Sequence, residues 1–200
     1  VTVTNIPGSH PRRVTRRQYG LGRVARMQLD EFNALDAAEA SLVVSVWAAV
    51  PGWVDAIVTA RPFASIEALR SYAGDLAGVW SRADLDAALA HHPRIGEKPT
   101  GSGAEADASR KEQAAMSTAA DDVAAAISAG NRAYEERFGR VFLIRAAGRS
   151  PQAMLAERHR RLDNDDDTEA REATAQLAEI ALLRLDSAIV ADEIEPEEAE

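Results

Sequence analysis

Helix punctuation constrains this chain more than any other feature. From Leu29 onward, residues that cap helices stand before apolar runs, and proline or glycine stands after them. Asp36, with Glu39 three residues on, opens the run Leu42, Val43, Val46, Trp47 and Val50, and Pro51-Gly52 closes it. A short helix from Trp53 to Ala60 stops at Arg61-Pro62. Ser65 caps a helix expected from Ile66 to Trp80, with Glu67 in the first turn, where the helix dipole favours negative charge. Ser81 with Asp84 starts the next, which carries Leu85 and Leu89 and ends at His91-His92. Ala108 to Ser128 reads as one long Ala-rich helix closed by Gly130, with a short helix bearing Tyr134 and Phe138 behind it. Ser150-Pro151 supplies a cap and a first-turn proline for a helix to about Leu162, and the acidic run DNDDDTE opens a last helix to about Val190. The apolar run VFLI at 141–144 has no second run to pair with, so it is expected to be extended or helical within a helical protein. These signals predict an all-α fold, a single domain of about seven to nine helices enclosing a polar cleft.

Composition narrows the functions open to such a domain. Two hundred residues suffice for one sizeable core without disulfide or metal support. The absence of cysteine excludes disulfides, thiolate catalysis and Cys-type zinc sites. With 32 acidic against 23 basic residues, a general affinity for nucleic acid or anionic membrane is not expected. Apolar runs fall far below the roughly 20 residues needed to span a bilayer, so a soluble, cytoplasmic protein is expected. Residues 1–28 are expected to be a disordered basic extension, since residues 1–27 hold six arginines and no acid, broken by Pro7, Gly8, Pro11, Gly20 and Gly22. A transit peptide and a start placed too far upstream of Met27 are the competing readings. The domain is placed at residues 29–190, and residues 191–200 form an acidic tail.

The chemistry-bearing stretch is HHPRIGEKPTGSGAEADASRKEQ, from His91 to Gln113. Pro93 biases His92 away from helical backbone and leaves the imidazole at a helix terminus. A Gly-, Pro- and Ser-rich loop follows, long enough to serve as a lid or cleft wall. Ser109, Glu112 and Gln113 then share one helix face at i, i+3 and i+4. On the last helix, Leu177, Ile180, Ala181 and Arg184 fall at i, i+3, i+4 and i+7, so the arginine shares the inward face. A buried guanidinium needs an anion, and Glu172, Glu179 or another internal carboxylate could provide it. Taken alone, His92 reads as a helix-terminal residue, Glu112 and Gln113 as a solvated pair, His159 as solvated and Arg149 as a surface residue. Trp47, Trp53 and Trp80 are core candidates before they are ligand platforms. Adjacent histidines seldom reach one ion, so no metal site is read at His91-His92.

HPRIGEK followed by S-x-x-EQ resembles the 2-oxo-4-hydroxy-4-carboxy-5-ureidoimidazoline decarboxylase family, which acts at the end of the urate-to-allantoin pathway. FNALD at 32–36, ARPF at 60–63, YEERFG with VFLI from 134 to 144 and LLRL at 182–185 agree in order, and the likeness spans roughly residues 29 to 189. The resemblance implies a cofactor-independent decarboxylation giving (S)-allantoin, with His92 as proton donor and Glu112 orienting or charging it. It further implies Arg184 as substrate clamp, with Pro93, Ser109, Gln113 and the backbone of Phe142, Leu143, Ile144, Arg145 and Ala146 framing the ring and ureido group. Arg145 stands where many relatives carry cysteine, and either lines the pocket or pairs with a surface acid. The implied partners are a small-molecule substrate, a second copy in a homodimer, and a separate 5-hydroxyisourate hydrolase and urate-oxidising enzyme upstream. Two other readings stand beside this one. A non-catalytic helical binding or scaffold module would keep the fold alone, and a fused allantoin synthase would need a β-rich region that does not follow in this sequence.

Overall fold

The computed structural model describes residues 26–90, 92–97, 103–114, 116 and 119–191. The expectations for residues 1–25, His91, the middle of the loop at 98–102 and the acidic tail from 192 lie outside them. Among the described residues the chain forms β1 (Met27–Gln28), α1 (Leu29–Ala34), α2 (Ala37–Trp47), α3 (Pro51–Thr59), α4 (Ile66–Ala77) and α5 (Arg82–Leu89). After these come α6 (Ala104–Glu112), α7 (Asp121–Phe138), α8 (Pro151–Arg161), α9 (Asp166–Ala188) and β2 (Ile189–Val190). The all-α expectation holds, with one small parallel pairing of β1 with β2 added.

Four caps stand where the sequence placed them. The side chains of Asp36, Ser65, Ser81 and Ser150 each accept from a backbone N–H in the first turn of α2, α4, α5 and α8. Asp165 does the same for α9, and Asp84 completes a capping box with Ser81. α9 is the hub: Ala173, Leu177, Ile180, Ala181 and Leu185 join Leu69, Leu85, Val44 and Trp47 in one apolar core. Phe32, Trp47, Trp53 and Trp80 run through that core as an aromatic chain, with centroids 5.6, 6.5 and 5.5 Å apart, so the tryptophans are packing residues. A second cluster joins Ile127, Tyr134 and Phe138 of α7 to Met154 of α8, to Ile95 and to Phe142, Ile144 and Ala146.

Two of the family-like motifs prove to be one structural joint. The Asn33 side chain donates to Phe63 O and accepts from Phe63 N, both at 2.9 Å. Arg61 Nη1 donates to Phe32 O at 2.7 Å and Leu35 O at 2.9 Å, which ties FNALD to ARPF.

Several boundaries differ from expectation. Pro51 and Gly52, expected to close the helix before them, are the first residues of α3, and α2 ends at Trp47. Met27 is buried and Gln28 pairs with Val190, so the folded body begins upstream of residue 29. α4 stops at Ala77, with Gly78 at its C-cap, short of Trp80. The Ala-rich helix expected from 108 to 128 is two helices: α6 ends at Glu112 and α7 begins at Asp121, whose first turn is acidic. High helix propensity favoured continuity, but tertiary contacts decided otherwise. Gln113 turns out of the helix to accept from Gly96 N at 2.9 Å, and Met116 packs against the second cluster. Gly130 does not close a helix but lies inside α7, because the Arg158 guanidinium fills the space where a Cβ would stand, 2.0 Å from Nη2.

Candidate functional site

α5 ends at Leu89, and the His92 N–H donates to Leu89 O at 3.1 Å, which seats the imidazole just past the helix terminus as Pro93 requires. His92 and Pro93 are half-buried. The His92 pKa is lowered to about 4, first because burial penalises the cation and second because the Arg184 charge repels it. The expectation that Glu112 charges the ring is therefore corrected: the charge that acts on His92 is the guanidinium, and the ring rests neutral.

Glu112 is committed to Arg184. Arg184 Nε donates to Glu112 Oε1 at 2.7 Å and Nη2 to Oε2 at 2.9 Å, a fork-on-carboxylate geometry. Nη2 also reaches Ser109 Oγ at 3.3 Å, and Nη1 donates to Val46 O at 2.9 Å. The inward register read for Arg184 is correct, since the residue is 7 % exposed. Its anion is neither of the two named from sequence: Glu172 pairs with Arg160, and Glu179 pairs with Arg145. Of the five N–H groups on a guanidinium, these contacts use four, and one on Nη1 is left over among the described residues.

The structure thus brings Ser109, Glu112 and Arg184 together, with His92 within electrostatic reach of Arg184, while Gln113 holds the His92 loop through Gly96 N. Residues 141–146 are extended without a ladder partner, and side chains satisfy the backbone instead. Arg161 Nη1 donates to Leu143 O at 2.7 Å, and Arg145 N donates to Gln176 Oε1 at 3.0 Å. Phe142, Leu143, Ile144 and Ala146 are buried, and all but Leu143 share the second cluster with Ile95 of the His92 loop. The Arg145 side chain turns to Glu179 at 2.9 Å and to Ala147 O at 3.0 Å, the ion-pair alternative of the two read for it. His159 is exposed as read. A groove of about 680 Å³ lies between α4 and α9, lined by Gly74, Gly78, Trp80, Arg82, Leu182 and the Glu179 that pairs with Arg145, and not by His92, Ser109, Glu112 or Arg184.

Sequence reasoning missed a buried polar layer behind the extended segment. Arg161 forks onto Glu169, with Nε at 3.0 Å from Oε1; Asn164 donates to Glu169 at 2.9 Å, and Tyr134 Oη donates to it as well. Burial first, and then the Glu169 contact, raise the Tyr134 pKa. The signal was present: the inward face of α9 traced back from Leu177 passes Ala173 and Glu169 at four-residue steps. The face of α8 from Met154 passes Arg158 and Arg161 at steps of four and three residues.

Known proteins share this chain's sequence pattern and fold. The OHCU decarboxylase family model matches residues 33–186. A 2-oxo-4-hydroxy-4-carboxy-5-ureidoimidazoline decarboxylase of Haloferax volcanii is 31 % identical over 160 residues, covering 79 % of this chain and 90 % of that protein. The chain belongs to the OHCU decarboxylase family. Among solved structures, a crystal structure of OHCU decarboxylase in the presence of (S)-allantoin superposes with a TM-score of 0.62 at 22 % identity. It is covered over 94 % of its length by 72 % of this chain. An (S)-allantoin synthase superposes with a TM-score of 0.59 at 16 % identity, with 82 % of this chain covering 54 % of it. The OHCU decarboxylase fold is thereby shared, and no helix among the described residues is long and apolar enough to cross a membrane.

Proposed function

We propose that this OHCU decarboxylase family member converts 2-oxo-4-hydroxy-4-carboxy-5-ureidoimidazoline to (S)-allantoin and carbon dioxide, without a cofactor, in urate catabolism. One observation carries the reading: a half-buried imidazole, held neutral by burial first and by a guanidinium second, lies within electrostatic reach of the Arg184 of a Ser109–Glu112–Arg184 cluster in a chain of this family. The substrate supplies its own electron sink. When the carbon–carboxylate bond breaks, its electron pair passes toward the adjacent ring C=N, carbon dioxide leaves, and one proton must be delivered to one face of a ring carbon.

His92 handles that proton. A substrate carboxylate near Arg184 offsets the charge that repels imidazolium, so binding raises the affinity of His92 for a proton and arms it as a general acid. Glu112 does not charge the ring; it fixes the Arg184 fork, and the remaining Nη1 N–H is directed to the substrate. Pro93, Ser109 and Gln113 border the substrate, and the backbone of Phe142, Leu143, Ile144, Arg145 and Ala146 frames its ureido end. The protein acts in the cytoplasm as a homodimer, on the product of a separate hydrolase that follows a urate-oxidising enzyme.

The test is to add purified protein to freshly generated substrate and follow its disappearance together with the optical activity of the allantoin. Accelerated decay to a single hand is expected, because an unassisted reaction protonates both faces. Decay at the spontaneous rate to racemic product would return the chain to the reading of a non-catalytic helical module.

A further inference from the structure

The peptide that joins Ile95 to Gly96 is gripped on both of its polar atoms. Asn131 Nδ2, from the buried face of α7, donates to Ile95 O at 2.9 Å, and Gln113 Oε1 accepts from Gly96 N at 2.9 Å. Gly96 adopts a φ of +82°, and a Cβ there would stand 3.2 Å from Ile127, so the loop backbone lies close against α7. Asn131 is 4 % exposed, and its amide has only one workable orientation. Arg158 Nη1 donates to Asn131 Oδ1 at 3.2 Å, and because a guanidinium cannot accept, the amide nitrogen is left to face Ile95 O. Arg158 is itself 1 % exposed and donates to Ile127 O at 2.6 Å and Ala126 O at 2.9 Å. Burial alone lowers its pKa, with no carboxylate contributing.

We propose that Asn131, oriented by Arg158, is a positioning residue that sets the loop carrying His92 relative to Gln113. The proposal rests on the assignment of His92 and Gln113 to the site. Neither Asn131 nor Arg158 need touch the substrate. Their effect passes through one peptide plane three residues from His92, and a misplacement of about 1 Å in such a group is enough to slow chemistry severely.

Asn131→Asp separates positioning from packing. The carboxylate still accepts from Arg158 and brings a counter-charge to a buried cation, but it cannot donate to Ile95 O. Melting at or above the wild-type temperature is expected, with kcat reduced roughly 10- to 100-fold and faster amide exchange at Gly96. Asn131→Ser, too short to reach Ile95 O, should show the same loss of kcat and Gly96 protection, and it serves where the aspartate variant does not fold. A folded Asn131→Asp or Asn131→Ser with wild-type kcat and wild-type Gly96 protection would overturn the proposal. So would failure of both variants to fold, which would make Asn131 a residue of the core only. Should the wild-type protein itself prove inactive, the proposed reaction fails, while Gly96 exchange still decides whether Asn131 holds the peptide.

Discussion

An imidazole kept neutral by burial and by Arg184 has a consequence for stability as well as for chemistry. The His92 pKa falls from an ordinary value of 6.5 to about 4 in the folded protein. Between those values the unfolded chain binds a proton that the folded chain does not, so this contribution rises with pH across the window. It is complete above 6.5 and lost as pH falls toward 4. Denaturant unfolding of wild type and His92→Asn across that window should show the wild-type stability climbing more steeply, and parallel curves would contradict the assignment. Arg184 makes the opposite kind of claim. The free protein does not hold a poorly paired cation, because Glu112 completes the fork, so Arg184→Met strands a carboxylate whose side chain is 15 % exposed. The substitution should cost about 3 kcal/mol, and adding Glu112→Gln to it should restore most of that loss. A single-variant cost under about 1 kcal/mol would mean that the pair is a surface contact. The inward face of Arg184 was legible from the spacing of Leu177, Ile180 and Ala181, whereas its partner was not, because Glu112 lies far away in sequence on a helix whose docking no local pattern records.

Elements were legible where a side chain closes its own helix end. Asp36, Ser65, Ser81 and Ser150 act within a few residues of themselves, so their caps could be read without knowing the fold. The division between α6 and α7, and the passage of α7 through Gly130, depend instead on long-range contacts: Gln113 holding Gly96 for the first, and Arg158 packed beside Gly130 for the second. Gly130 offers a sharp test because local and tertiary physics disagree in sign. Helix propensity alone gives Gly130→Ala a gain of about 1 kcal/mol. The new Cβ would displace Arg158 from Ala126 O, Ile127 O and Asn131, an overpacking that costs roughly 1–3 kcal/mol. Chemical denaturation should therefore find a net loss, and a stabilised variant would show that Arg158 can leave its site freely. The extended segment at 141–146 is a related case. Its lack of a strand partner was foreseeable, but the donors that replace a ladder, Arg161 and Gln176, come from α8 and α9.

At the scale of the whole molecule, the ends of the domain are stitched together by β1 and β2, with Met27 opposite Ile189. A two-residue pairing of β1 and β2 carries no periodicity, which is why the sequence boundary fell at Leu29. Met27→Ala should lower stability by about 2 kcal/mol through lost burial, read as a shifted denaturation midpoint; an unshifted midpoint would place β1 outside the folded body. α9 links this closure to the site, since one helix carries both Ala188, beside the pairing, and Arg184. The helical class, the inward arginine and the His92 stretch were thus readable from pattern and resemblance, while the charge state of His92 required the three-dimensional neighbourhood. The decisive measurement is the turnover of His92→Asn on freshly generated substrate, paired with its melting curve. A folded protein with kcat lowered by about 10²-fold or more is expected, the usual share of general acid–base catalysis. A folded His92→Asn that turns over at the wild-type rate and still yields one hand of allantoin would contradict His92 as the proton donor.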